Sequence, residues 1–236
     1  MLNHLKINKP LISYYKQIEK TKSNSLIEKL LQGENIALVS DAGTPGISDP
    51  GEEIVNIAIK NNIEIIPIPG ACALINALIS SGISTKEFIF IGFLPVSKKD
   101  IAEKLEEIKS YNQTIIFYEA PHKLINTLEI IKEILGDRNM VLSREITKIH
   151  EEFIRGKISD ILKNIKEPKG EFVIVIEGSK TSMQEEKINI LNELSLEEHY
   201  NYYKKLNYEK KEIIKKIAKD RNKSKNEIYQ YFLKNK

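Results

Sequence analysis

Ser40-Asp41-Ala42-Gly43-Thr44-Pro45-Gly46-Ile47-Ser48-Asp49-Pro50-Gly51 places three glycines and two prolines within twelve residues. That density specifies one backbone path, because glycine opens left-handed conformations and proline fixes φ. The stretch follows the apolar run Ile36–Ser40, whose ALVS reads as a strand covered on both faces. It leads into an amphipathic segment at about 51–60, with Asp49 as expected N-cap, Pro50 at N1 and Glu52 at N3. In an open α/β sheet, loops at the carboxyl ends of strands line the ligand crevice. The plainer reading is a tight strand-to-helix turn, for which the glycine density is excessive. The pattern is neither GxGxxG nor GxxxxGK[ST], which argues against a dinucleotide fingerprint or a P-loop.

Outward from this loop, β-branched runs alternate with longer amphipathic stretches. Strands are predicted at Ile36–Ser40, Ile63–Pro67, Phe88–Gly92, Thr114–Tyr118, Met140–Arg144 and Glu171–Ile176. Helices are predicted at about 24–32, 51–60, 72–81, 98–109, 121–134 and 158–165. The alternation predicts an α/β architecture with mainly parallel sheets. Gly92-Phe93-Leu94-Pro95 reads as a connection between two lobes, at 1–92 and 93–180. Beyond Gly178 the strand signal stops. Helices are expected at about 186–193, 196–206, 209–219 and 225–234, the last two as a helix-turn-helix pattern with Ser224 as N-cap and Glu227 at N3.

The chain has 236 residues and a formal net charge of +3, which averages two unlike regions. Residues 201–236 carry 12 Lys+Arg and 4 Asp+Glu, a local net of +8, whereas residues 1–200 carry a net of −5. A basic helical tail on an acidic body suits a polyanionic partner; alternatively, it is a solvated helix pair. The single cysteine, Cys72, excludes a disulfide framework within the chain and fits a reducing compartment. No apolar run is long enough for a membrane span, and none opens the chain as a signal peptide would. His4, His122, His150 and His199 lack metal-ligand spacing, so no metal site is expected.

Three further junctions follow the loop. Pro67-Ile68-Pro69-Gly70 precedes Ala71-Cys72-Ala73 at a helix start, where small residues admit a ligand against backbone amides. Phe117-Tyr118-Glu119-Ala120-Pro121-His122-Lys123 ends a strand. Glu119 and His122 either supply acid–base chemistry there, or cap the next helix and lie on its exposed first turn. Ser143-Arg144-Glu145-Ile146-Thr147-Lys148 sets charges of both signs after a strand, as a salt-bridge corner or a ligand shelf.

SDAGTPGISDPG, IPGACA, FIGFLP, FYEAPHKL, SREITK and GEFVIVIEG, in that order, resemble the ribosomal small subunit methyltransferase I group of the tetrapyrrole methylase superfamily. The resemblance runs from about residue 2 to Gly178, and the basic tail is similar to the group's C-terminal extension. It implies a two-lobed tetrapyrrole-methylase-like fold with a small helical extension at 181–236, S-adenosylmethionine bound between the lobes, and a cytoplasmic homodimer. It also implies 2′-O-methylation of a decoding-centre cytidine in 16S rRNA. Mapped residue by residue, the cofactor contacts fall at Ala42, Gly43, Thr44 and Ile47, at Cys72 and Ala73, and at or beside Glu119 and Ile146. Glu119 is also the nominated general base. Lys211, Lys215, Lys219, Lys223 and Lys225 are the nominated RNA contacts.

Relatives in this group open with a strand, a Pro-Ile-Gly-Asn-Leu-x-Asp-Ile-Thr loop and a helix ahead of the matching region. This chain starts at Met1-Leu2-Asn3. The expectation is therefore a first lobe lacking its opening strand and loop, a loss on the order of 40 residues. Two other functions stay open: an inactive methylase-like RNA- or ribosome-binding protein, and a methyltransferase for a small tetrapyrrole, which the basic tail disfavours.

Overall fold

A computed structural model of the chain describes residues 2, 4–180, 188 and 190–234. Its centre is a five-stranded sheet of β1 (Phe88–Phe93), β2 (Thr114–Glu119), β3 (Asn139–Arg144), β4 (Glu152–Lys157) and β5 (Phe172–Ile176), in the order β1-β2-β5-β3-β4. The α/β class is as expected, but the pairing corrects the expectation of mainly parallel sheets. Only β1 and β2 run parallel, while β2–β5, β5–β3 and β3–β4 are antiparallel. The sequence hid this because β2, β3 and β5 are buried on both faces, and continuous apolar runs are the usual mark of parallel strands. β4 went unread: Glu152, Arg155 and Lys157 break its apolar pattern, as befits an edge strand.

Helices cover both faces of this sheet. α4 (Lys98–Ile108), α5 (Leu124–Leu135) and α6 (Ile158–Asn164) pack on the face made by Ile115, Phe117, Leu142 and Ile174. α4 starts at Ser97, whose hydroxyl accepts the Asp100 N–H at 3.1 Å. The other face, made by Ile116, Val141, Val173 and Val175, is covered by Leu74, Ala77 and Leu78 of α3 (Ala73–Ser81). Of the expected connection between lobes, Gly92 and Phe93 belong to β1 and pair with Phe117 and Tyr118, while Leu94 and Pro95 follow the strand.

The segments before α3 differ most from expectation. Ile36–Ser40 and Ile63–Pro67 form no ladder among the described residues. An apolar β-branched run becomes a strand only when a neighbour satisfies its backbone, and neither run finds one. Val39, Ile66 and Ile68 are left exposed, at 53%, 70% and 80%. α1 (Glu19–Leu31) and α2 (Glu52–Lys60) instead form their own small core through Leu26, Ile27, Ile54 and Ala58. The N-cap of α2 is Gly51, not Asp49. Gly51 donates its N–H to Glu19 Oε1 at 2.7 Å, and its φ of +151°, with a Cβ that would stand 3.3 Å from Gly46 Cα, favours glycine there.

The C-terminal helices α7 (Leu196–Lys205), α8 (Lys210–Asp220) and α9 (Lys225–Lys234) bury Ile213, Ile214, Ile217, Ala218 and Ile228 in a core of their own. Ser195 and Glu198 form a capping box at α7, and Ser224 Oγ accepts the Glu227 N–H at 3.2 Å at the start of α9. The helix expected at 186–193 falls partly outside the described residues; 190–193 are helical.

Candidate functional site

The glycine-rich loop, the start of α3 and the carboxyl ends of β1, β2 and β3 converge. Thr44 Oγ1 donates to the Ala71 carbonyl at 2.9 Å. Gly43 adopts a φ of +74°, and a Cβ there would make ordinary contact with that carbonyl at 3.7 Å. A Cβ on Gly92, which follows the register shift at Ile91 in β1, would stand 3.7 Å from Ser48 Oγ. The loop is thereby tied to the α3 junction and passes near the end of β1. Ala42, Gly43 and Ile47 are exposed, and Thr44 is half-buried.

Beneath the start of α3 lies a row of side chains crossing the sheet. The strand register sets Tyr118 beside Val173, Val173 beside Ser143, and Ser143 beside Phe153. By strand alternation all four face α3. Cys72, Ala73 and Ile146 pack against the cluster that includes Val173, Tyr118 and Phe153. Three of the expected cofactor positions, from two distant parts of the chain, therefore share one cluster. Tyr118 oxygen accepts the Leu74 N–H at 3.2 Å, joining the first turn of α3 to β2. Burial, and then the Cys72 side chain, push the Tyr118 phenol up to about 12, so it stays neutral at ordinary pH. Ser143 Oγ is fully buried and has no hydrogen-bond partner. An orphan hydroxyl under the α3 junction marks a place where a polar ligand atom would be welcome.

Tyr118 and Ser143 lie in quoted junctions but are not among the contacts expected from the sequence. Period-two alternation along TIIFYE and NMVLSR was the signal that could have found them.

Glu119 is placed otherwise than its nomination as base requires. It is buried, and alternation turns its side chain to the face opposite Tyr118. Its Oε1 accepts the Ala120 N–H at 2.8 Å and its Oε2 accepts the Thr127 hydroxyl at 2.7 Å. That pins the β2–α5 turn, but Glu119 does not cap α5 as the alternative reading expected, for the N-cap is Lys123 and no side chain caps it. His122 is exposed in the turn before α5.

At the fourth junction Ile146 sits between two non-glycine residues with positive φ, Glu145 at 48° and Thr147 at 69°. Lys148 Nζ donates to Glu145 Oε1 at 3.0 Å and to Glu171 Oε2 at 2.8 Å. Glu145 Oε1 also accepts the Glu171 N–H at 2.9 Å. That backbone bond, and next Lys148, hold the Glu145 carboxyl below the usual carboxylate range.

In the tail, Lys211, Lys215 and Lys219 recur every fourth residue on the exposed side of α8, opposite its buried isoleucines. Lys225 is exposed at the start of α9, whereas Lys223 is engaged by Glu227 at 2.6 Å. Lys216, not foreseen, lies 4.4 Å over the Tyr208 ring. Behind the lysines, His199 is fully buried: Nε2 lies 3.2 Å from Asp220 Oδ2, and Nδ1 accepts from Arg221 Nε at 3.2 Å. Desolvation and then Arg221 lower its pKa, overriding Asp220.

A cavity of about 480 Å³ lies at the opposite ends of the strands, lined by Ser84, Asn112, Thr114, Arg155 and Lys180 among others. None of the expected site residues lines it. Among the described residues there is no cluster able to hold a metal ion, and no helix long and apolar enough to cross a membrane.

Residues 6–162 match the family model of the Tetrapyrrole (Corrin/Porphyrin) Methylases. Relatives named Ribosomal RNA small subunit methyltransferase I include one from Halalkalibacterium halodurans, 44% identical over 98% of this chain and 81% of its own length. Another, from Bacillus subtilis, is 46% identical over 94% of this chain and 77% of its own. Among solved structures, diphthine synthase is similar with a TM-score of 0.56 at 14% identity, covering 75% of this chain and 72% of that one. The methyltransferase CobJ is similar with a TM-score of 0.55 at 16% identity, covering 74% and 79%. At these identities the two structures speak to fold alone.

Proposed function

Since the chain belongs to the tetrapyrrole methylase family and, within it, to the ribosomal RNA small subunit methyltransferase I group, we propose that it methylates the ribose 2′-hydroxyl of a cytidine in 16S rRNA. S-adenosylmethionine is the proposed donor. The observation that carries this reading is the meeting of Thr44, Cys72, Ala73 and Ile146 around the α3 junction, in a chain 44% identical to a relative with that name.

The residues present fit such a cofactor. The exposed glycine loop offers backbone groups, the Tyr118–Phe153 row offers an apolar floor, and Ser143 offers an unused polar atom. The cofactor supplies a methyl group on a sulfonium, open to in-line displacement by the ribose oxygen. The chain's own task is alignment and exclusion of water. Thr44 fixes the loop against Ala71, while Tyr118 fixes the first turn of α3, so both walls are set before a ligand arrives. Glu119, with both oxygens engaged on the far side of the sheet, serves that frame and takes no proton from the ribose.

The tail supplies the RNA contact in this reading. Lys211, Lys215, Lys219 and Lys225 form the phosphate-facing stripe. A homodimer belongs to the same proposal.

Transfer of labelled methyl from S-adenosylmethionine to 30S subunits lacking the modification tests the proposal. Label recovered as 2′-O-methylcytidine is the expected outcome. RNA binding without transfer would favour the inactive RNA-binding reading instead.

A further inference from the structure

The loop at 145–148 has a shape that its own residues disfavour. Thr147 is β-branched and adopts a φ of 69°, a left-handed conformation that such residues avoid. Strain of this kind persists only where the surroundings fix it, and it concentrates at ligand clamps. The Lys148 N–H closes the turn on the Glu145 carbonyl at 2.9 Å, and ionic contacts brace it from outside. Lys148 joins Glu145, on the loop, to Glu171, at the start of β5, through bonds of 3.0 and 2.8 Å. The Glu145 N–H donates to the Glu171 carbonyl at 3.0 Å, and the Thr147 N–H to Glu151 Oε2 at 2.6 Å. Gly170 leaves room for this packing, since a Cβ there would stand 2.5 Å from Glu145 Cγ.

What the clamp holds is Ile146. Its side chain packs on the cluster that also receives Cys72 and Ala73. Its backbone N–H and C=O pair with no other backbone group among the described residues. A donor and an acceptor side by side match the amino group and ring nitrogen of a purine edge.

We propose that Lys148 is a positioning residue of the cofactor site: by tying Glu145 to Glu171 it keeps the Ile146 peptide presented to the purine of S-adenosylmethionine. This rests on the function proposed above. Lys148 itself touches no ligand; it acts through the turn.

Calorimetric titration of the full chain with S-adenosylhomocysteine tests it, using Lys148→Met, which keeps the stem without the charge, and Lys148→Arg, which restores a bridging cation. The expected result is about a tenfold weaker Kd for Lys148→Met, the weight of one charge-assisted hydrogen bond, with most affinity recovered in Lys148→Arg. Amide exchange should quicken at Ile146 and Thr147 and stay unchanged in the sheet. Wild-type affinity in Lys148→Met, equal loss in both variants, or quickened exchange throughout β3 and β5 would overturn the proposal while leaving the cofactor reading intact. A wild-type chain that binds no S-adenosylhomocysteine would sink both.

Discussion

Replacing Glu119 by glutamine separates two roles that the sequence left open. In the structure both carboxylate oxygens accept hydrogen bonds, from Ala120 N–H at 2.8 Å and Thr127 Oγ1 at 2.7 Å, within a buried turn. Hydrogen bonds to a charged group contribute about 1.5–3 kcal/mol each, against about 1 kcal/mol for neutral ones. Glutamine keeps one carbonyl acceptor and turns an amide donor toward the other partner, so a loss of about 1–2 kcal/mol is expected. For a chain of this length that lowers Tm by about 2–8 °C. Turnover should fall only as far as the folded fraction falls. A general base would show the reverse, about 10²–10⁴-fold loss of turnover with little change in Tm. Melting followed by circular dichroism, paired with single-turnover methyl transfer on 30S subunits, reads both quantities. An unchanged Tm with a hundredfold slower transfer would refute the structural assignment and restore Glu119 as base.

Charge reversal at Lys215 and Lys219 removes two members of the α8 stripe while leaving its buried isoleucines alone. RNA affinity should fall, and the slope of log K against log salt should shrink by about 0.7–0.9 per lost phosphate contact; unchanged slopes in filter binding would show the tail to be a solvated appendage. His199 gives the tail a pH limit. Its folded pKa is depressed, so its contribution to stability is present above the unfolded value of about 6.5 and is lost as pH falls toward the folded one. Protonating Nδ1 would also remove the acceptor for Arg221 and set two cations together. Amide exchange in α7 and α8 should therefore quicken on acidification from pH 7 to 5, before exchange in the central sheet; uniform protection across that range would contradict this.

Much of the fold was legible because its signals are local. Ser97, Ser195 and Ser224 cap helices where the sequence placed starts, and β1, β2, β3 and β5 follow from apolar β-branched runs. Strand direction was not legible. TIIF and MVL are apolar on both faces because α3 lies on one side and α4 to α6 on the other, and that coverage says nothing of parallel or antiparallel pairing. ALVS and IEIIP show that strand propensity alone makes no strand, for pairing is a property of two segments.

The site was half legible. The loop at 40–51 and the Cys72-Ala73 pair announce themselves by glycine and small residues, and the structure brings Cys72, Ala73 and Ile146 onto one cluster. The facing of Glu119 and Ser143 was lost, because each depends on the phase of a strand rather than on residue type. Asp49 looked like an N-cap by type and spacing, yet the helix begins after Gly51, whose N–H is taken by Glu19 from 32 residues away.

Titration calorimetry with S-adenosylhomocysteine, comparing the wild-type chain with Thr44→Trp, asks most directly whether the loop, the α3 junction and the Ile146 turn form the cofactor site. Thr44 is half-buried against Ala71, so an indole there would fill the space between loop and junction without entering either hydrophobic core. Micromolar or tighter binding by the wild type, lost by at least a hundredfold in Thr44→Trp at an unchanged melting temperature, is the expected result; equal affinity in the two proteins would contradict it.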